Sequence, residues 1–308
     1  MAQLFDRTVA VTVGNLRFTD LDCQFRIEKS LAHEPNKCEL RIYNLSEDNR
    51  AMFEQMAPRA VATAAGVNAP SVSLTKEERE LALKKYKTYV GKIKGISCQI
   101  DAGYNGDNST LWLGDLRTAQ SVREGPDWVT IFESGDGEKA FLNARVNVGF
   151  TPKTTAETAI RTILKAMGIG EGNLRTVLPA LLKASARLYP RGTVFNGPAA
   201  VELTRLCEAA DLEWSIENGA ALFTGRGRPV LGTAIRVSSE TGMLDSPTVD
   251  EEGILSVRIL MQPDVHIGRT LVMDSRRIKG AYRIIEATWI GDTSGGDWTI
   301  DISAERLG

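Results

Sequence analysis

Hydrophobic and polar residues alternate at both ends of the chain, and a helical spacing takes over in its middle. Val9, Val11 and Val13 recur at every second position, and Gly14-Asn15 follows as a turn. Phe25-Arg26-Ile27-Glu28-Lys29 and Cys38-Glu39-Leu40-Arg41-Ile42-Tyr43 repeat that period and predict two more strands. Ser46 is placed to cap a short helix over 47–56, with Glu47 and Asp48 in its first turn. Residues 57–74 are small and bounded by Pro and Gly, which predicts a loop. Thr75 with Glu78 forms a capping box for a helix from Glu77 to Tyr89 that is charged on most faces. Such a helix is expected on the surface, as part of an insertion over 57–92. Strand character returns at Gly95–Ile100, Thr110–Leu113 and Trp128–Phe132, separated by turns at Tyr104-Asn105-Gly106-Asp107 and Glu124-Gly125-Pro126-Asp127.

Between 151 and 228 the period changes. Thr154 and Glu157 read as a capping box, followed by Ile160, Ile163, Leu164 and Met167 on one helical face and Gly168 as the stop. Leu174–Leu188 is a second apolar helical stretch, interrupted by Pro179. Pro198 suits the first position of a third helix whose inner face is Leu203, Leu206, Cys207 and Ala210. Asn218-Gly219 between Glu213–Glu217 and Ala220–Phe223 is the strongest hairpin signal in the chain. From 229 onward strands return at Gly253–Leu260, Thr270–Met273, Tyr282–Ile285 and Trp298–Ile302. The order is a β unit, a small α/β module and a second β unit. Gly125-Pro126-Asp127-Trp128 and Gly295-Gly296-Asp297-Trp298 share Gly-x-Asp-Trp, each opening a strand near the end of its β unit. This echo predicts related units with Trp128 and Trp298 in equivalent, buried positions.

Composition narrows the function. The 308 residues carry 37 Lys+Arg against 39 Asp+Glu, a net charge of −2 that lacks the basic excess of an extended nucleic-acid footprint. No apolar run reaches the length of a membrane span, and Met1–Arg7 lacks a secretory pattern, so synthesis in a cytoplasm is expected. Cys23, Cys38, Cys98 and Cys207 are far apart in strand-like or helical patterns and read as buried small hydrophobes. His33 and His266 are the two histidines, which restricts acid–base and metal chemistry.

Each apparent chemical motif has a plainer reading. Gly291-Asp292-Thr293-Ser294-Gly295-Gly296 resembles a serine nucleophile segment but has no partner motif around either histidine, and it reads as a hairpin turn. Ser134-Gly135-Asp136-Gly137 is not a nucleophile elbow. Asp264-Val265-His266 places two ligand types on one strand face without a third, and His33 beside Glu34-Pro35 reads as a turn residue. Gly168-Ile169-Gly170-Glu171-Gly172 follows a helix, whereas a dinucleotide loop follows a strand. Asp250-Glu251-Glu252 and the Arg226/Arg228 loop read as solvated turns. No catalytic, cofactor-binding or metal-ligating residue is assigned, and no cofactor is expected.

The stretch from Phe25 through Pro35-Asn36 to Tyr43-Asn44-Leu45-Ser46 resembles the opening of bacteriophage tail baseplate hub proteins. Asp101-Ala102-Gly103-Tyr104, Gly114-Asp115-Leu116, Ser134–Gly137, Gly192–Gly197, Ser239–Asp245, Gln262-Pro263-Asp264, Gly280–Arg283 and Gly291-Asp292-Thr293 follow in the same order. The resemblance implies an α+β, mainly β fold. Two tail-tube-like β-barrel domains, 1–150 and 229–308, flank the α/β module 151–228, with the helical insertion 57–92 in the first barrel. It further implies a non-enzymatic homotrimer in the tail baseplate of a virion, assembled in the host cytoplasm. Three chains would offer six barrels and join a sixfold tail tube to a threefold spike. Its implied partners are the tail tube protein or a tube-initiating ring, the central spike protein and the tape measure protein. The genome would pass through the lumen without sequence-specific binding, and no membrane anchor is implied. A hub of a related bacterial contractile injection system is the alternative, and a tail-associated hydrolase a more distant one. The segment 57–92 is longer than the family's usual connection.

Overall fold

A computed structural model describes residues 6–32, 34–69, 75–90, 95–137, 140–141, 143–179 and 192–307. The first β unit contains β1 (Arg7–Val13), β2 (Leu16–Phe18), β3 (Cys23–Ser30), β4 (Asn36–Tyr43), β5 (Ser97–Tyr104), β6 (Asp107–Glu124) and β7 (Asp127–Asp136). After the module come β12 (Ile235–Ser238), β13 (Thr248–Val249), β14 (Ile254–Leu260), β15 (Thr270–Asp274), β16 (Lys279–Asp292) and β17 (Trp298–Arg306). Among the described residues these thirteen strands form one sheet, in the order β13-β14-β17-β16-β3-β4-β7-β6-β5-β1-β2, with β15 added to β16 and β12 to β15. The two β units therefore share one sheet and one hydrophobic core.

The seam lies on β16. Its first half pairs with β15 over Lys279–Arg283, and its second half pairs with β3 over Glu286–Asp292. A bulge at Ile285, between those halves, marks the handover. Gly291 is required there, because a Cβ would sit 2.2 Å from the Phe25 ring of β3.

The two units repeat each other. The order β1-β5-β6-β7-β4-β3 matches β12-β15-β16-β17-β14-β13. β6 carries a bulge at Arg117, seven residues before its hairpin end Glu124, as Ile285 lies seven before Asp292. Trp128 faces Arg123 across the β6–β7 hairpin, and Trp298 faces Gly291 across β16–β17. One strand breaks the match: β1 runs antiparallel to β5, whereas β12 runs parallel to β15. The expectation that both rings are buried holds only for Trp298, at 2% exposure, whereas Trp128 is 38% exposed. Phe25 and Tyr104 pack edge-on against Trp298, while Trp128 has the Arg50 guanidinium 4.4 Å above it.

Three helices lie between β4 and β5: α1 (Glu47–Met56), α2 (Pro58–Ala64) and α3 (Lys76–Val90). Ser46 caps α1 and the Thr75–Glu78 box opens α3, as expected. The loop expected over 57–74 is instead helical at 58–64, where Pro58 opens α2 and Ala62 is buried; residues 70–74 lie outside the described residues. α1 inserts Phe53 into the core, edge-on to Phe132 and Phe18.

The module has its own core. It contains β8 (Arg145–Phe150), α4 (Ala156–Met167), β9 (Thr193–Pro198), α5 (Ala199–Ala209), β10 (Leu212–Glu217) and β11 (Ala220–Gly225). β8, at the end of the range read as the first β unit, pairs with β9. α4 buries Ile160, Ile163, Leu164 and Met167 and stops at Gly168, as its spacing predicts, but its cap is Thr155 and not Thr154. Pro198 is the N-cap of α5 and not its first turn residue. Residues 174–179 are helical, and the rest of the stretch to Leu188 lies outside the described residues. Asn218 and Gly219 both take positive φ, the geometry of a tight hairpin. Among the described residues no helix is long and apolar enough to cross a membrane.

Candidate functional surface

Strand parity turns Lys29, Asn36 and Asp136 inward, and all three meet at the seam. Cys23, Phe25 and Ile27 face the core from β3, and Lys29 continues that row. Asn36 continues Cys38, Leu40 and Ile42 on β4, and Asp136 continues Phe132 and Ser134 on β7. The module's hairpin tip covers them. Lys29 Nζ donates to Asn218 Oδ1 at 2.9 Å, lies 3.5 Å from Glu217 and stands 5.5 Å from the Trp289 ring centre. Asn36 Nδ2 donates to the Ile216 carbonyl at 2.7 Å, and Gly219 N–H donates to Asp136 Oδ1 at 3.0 Å. His266 Nδ1 lies 3.1 Å from Glu217. Burial pushes the Asp136 carboxyl up to about 6, against the lowering effect of Gly219 N–H and Lys29. Burial also acts to raise Glu217, but Lys29 and His266 outweigh it and hold Glu217 below the usual carboxylate range.

β10 is the strand that makes this possible. Leu212, Trp214 and Ile216 are buried in the module core, while Glu213 and Glu217 sit in the alternate phase. Glu213 reaches Arg283 at 2.6 Å, and Arg283 also donates to Glu305 at 2.5 Å. One strand thus clamps the module to both β units.

The opposite, solvent face of the sheet crosses the seam without a break. Strand register aligns Arg258, Asp301, Thr288, Glu28 and Lys37 across β14, β17, β16, β3 and β4. The next row runs Leu260, Thr299, Ile290, Arg26, Glu39 and Glu133 into β7. Three open depressions of about 390, 170 and 270 Å³ follow one another along this face. Its arginines are matched by acids: Arg258–Asp301 at 2.5 Å, Arg26–Glu28 at 2.8 Å and Arg41–Glu124 at 2.5 Å. The face is polar, continuous and close to neutral, and among the described residues no reactive groups converge on it.

The residues weighed for chemistry are dispersed. Ser294 sits in the β16–β17 turn, where its N–H donates to Asp292 Oδ1 at 2.7 Å. His266 turns to Glu217, while the Asp264 carbonyl accepts from Arg269. His33 lies outside the described residues. Asp250 accepts from the N–H groups of Glu252 and Ile254 and closes its own turn. Arg226 pairs loosely with Asp211 at 3.7 Å. The four cysteines are buried and free, and burial pushes the Cys23 and Cys98 thiols up to about 12. Among the described residues no three His, Cys, Asp or Glu side chains are grouped to hold a metal. The seam residues Lys29, Asn36 and Asp136 were missed from sequence; polar types at inward parity were the available signal.

No family model matches the sequence, and no curated protein matches it. Solved structures match its fold from end to end. A prophage MuSo2 43 kDa tail protein from Shewanella oneidensis superposes with a TM-score of 0.60 at 10% identity, covering 98% of this chain and 97% of that one. A tail protein from Neisseria meningitidis superposes with a TM-score of 0.57 at 9% identity, covering 99% and 98%. An E. coli component of the type VI secretion system, described as similar to T4 bacteriophage tail proteins gp27 and gp5, gives 0.50 at 7% identity, covering 97% and 77%. The fold is that of phage tail proteins, in agreement with the resemblance to tail hub proteins read from the sequence.

Proposed function

We propose that this chain is the structural hub of a tail baseplate, joining a sixfold tail tube to a threefold spike as a homotrimer. The observation that carries the reading is the internal repeat: one chain holds two β units of the same strand order, bulge position and hairpin register. Three such chains present six similar units, which reconciles the two symmetries. The units are proposed as tube-like barrels over 1–150 and 229–308, with the 57–92 insertion in the first and the module 151–228 packed against them. The sheet's solvent face then lines the lumen. Its ion-paired arginines suit passage of a polyanion, because Arg26, Arg41 and Arg258 are already matched by acids. Expected partners are the tube or tube-initiating ring protein, the central spike and the tape measure protein. The site is the virion tail baseplate, assembled in the host cytoplasm. The fold neighbours are structural tail proteins, which favours a non-enzymatic role.

A hub in a bacterial contractile injection system is the second reading, favoured by the secretion-system neighbour. Imaging of assembled particles tests the proposal. Three copies at the tube–spike junction are expected; two or six copies would refute it. Purified protein is expected to leave peptidoglycan and casein intact, and turnover lost on Ser294→Ala or His266→Ala would overturn the structural role.

A further inference from the structure

Beneath the module's hairpin, an amine, a carboxamide and a carboxyl group meet out of water. Four elements bring them together: β3 supplies Lys29, β7 Asp136, β6 the Leu113 N–H, and the β10–β11 turn Asn218. Lys29 Nζ donates to Asn218 Oδ1 at 2.9 Å, which sets the amine beside the side-chain carbon Cγ. Leu113 N–H donates to the same oxygen at 3.1 Å. These two donors identify the oxygen of the Asn218 amide and turn Nδ2 away from the amine. Lys29 is 4% exposed, and the Trp289 ring centre stands 5.5 Å from Nζ. Asp136 is 2% exposed; its Oδ1 accepts the Gly219 N–H at 3.0 Å, and among the described residues no donor meets its Oδ2. A carboxyl raised by burial to about 6 is suited to taking up and returning a proton near neutrality.

We propose that Lys29 and Asn218 join through an amide bond between their side chains, formed by the folded chain itself, with Asp136 carrying the protons. The Lys29 ammonium gives a proton to Asp136 Oδ2, and the free amine adds to Asn218 Cγ. Leu113 N–H holds the amide oxygen as negative charge develops on it. The bond from Cγ to Nδ2 then breaks. Two of the three Lys29 protons leave with that nitrogen as ammonium, Asp136 ends as it began, and charge is conserved. Burial keeps water from competing with the amine. The Gly219 nitrogen, which attacks the same carbon in an exposed Asn-Gly turn, is held by Asp136, so the lysine is the favoured nucleophile. Glu217, 3.5 Å from Nζ and backed by His266, holds the ammonium in place before reaction. The link forms after folding, and the seam charges described above are those of the unlinked chain. It fastens the module covalently to the first β unit and does not depend on the hub reading.

Mass spectrometry of the full-length chain, freshly folded and after days at neutral pH, tests this. The intact mass is expected to fall by one ammonia. Trypsin is expected to spare Lys29 and release one branched peptide joining residues 27–37 to 206–226. Lys29→Arg keeps a cation at the seam but offers no nucleophilic amine, and it is expected to stay unlinked. Asp136→Asn keeps an oxygen for the Gly219 N–H but loses the proton carrier, and linkage about a hundredfold slower or more is expected. An unchanged parent mass, or deamidated Asn218 without the branched peptide, overturns the proposal. Ammonia loss that persists in Lys29→Arg also overturns it, because another nucleophile would then be responsible. Asp136→Asn that links as fast as the parent, with the same unfolding midpoint, removes Asp136 from the reaction and overturns the mechanism. The parent's mass and branched peptide decide the bond directly, so a variant that fails to fold leaves the proposal open to refutation.

Discussion

Trp128 and Trp298 occupy equivalent register positions with different surroundings, so identical truncations should differ in cost. Trp298→Ala removes a ring packed against Phe25 and Tyr104, and a loss of about 3–5 kcal/mol is expected. Trp128→Ala removes an exposed ring under one guanidinium, and about 1 kcal/mol is expected. Urea unfolding of the two variants measures both, and equal losses would contradict the difference in environment.

Asp136 is the other residue whose behaviour the seam controls. Its native value near 6 lies above the ordinary 3.8, so between those values the folded chain keeps a proton that the unfolded chain releases. Its contribution to stability therefore rises as pH falls through that window. Above it, the buried charge costs on the order of 2–3 kcal/mol. Asp136→Asn is expected to stabilise the chain above pH 6 by up to that amount, with the gain gone below about pH 4. Glu217 acts with the opposite sign: its depressed value adds stability above the ordinary carboxylate range and loses it as pH falls through the native value. Unfolding free energies of Asp136→Asn and the parent across pH 4–8 separate the two. A gain that grows toward low pH would refute the assignment.

At the scale of elements, helices α1, α2 and α3 divide the insertion unequally. α1 places Phe53 in the core and α2 buries Pro58 and Ala62, whereas Leu81 on α3 is 57% exposed and Leu83 37%. Limited trypsin digestion is expected to cut first within 76–90, at Lys76, Arg79, Lys84 or Lys85. First cleavage within 143–179, with 76–90 protected, would assign α3 a packed role. The β10 strand contributes in the other direction: its two faces tie the module core to Arg283 and Lys29, so the module is held by a strand and not by a linker.

For the whole molecule, the near-neutral solvent face of the sheet is the property the proposed role depends on. Asp301→Asn with Glu28→Gln would leave Arg258 and Arg26 without their acids. The double variant is expected to gain retention on heparin at low salt, while the parent passes through, because freed arginines release counterions when they bind phosphate or sulfate. Equal elution of both would show that the ion pairs do not control the face.

The sequence by itself determined the local elements. Period-two alternation placed β3, β4, β14 and β17, the i, i+3, i+4, i+7 spacing placed α4, and Asn218-Gly219 placed the module hairpin. These features depend on residues close in the chain, so their causes are visible there. The repeated Gly-x-Asp-Trp also located the equivalent hairpins correctly. Only the tertiary structure decided that β16 leaves β15 for β3, because strand pairing across more than 250 residues has no local signature. That choice buried Trp298 beneath Phe25, whereas Trp128 stays 38% exposed beneath Arg50. It also brought Lys29, Asn36 and Asp136 under one hairpin, where burial and pairing set their charges. Parity marks such residues as inward-facing, but what covers them depends on how distant segments pack.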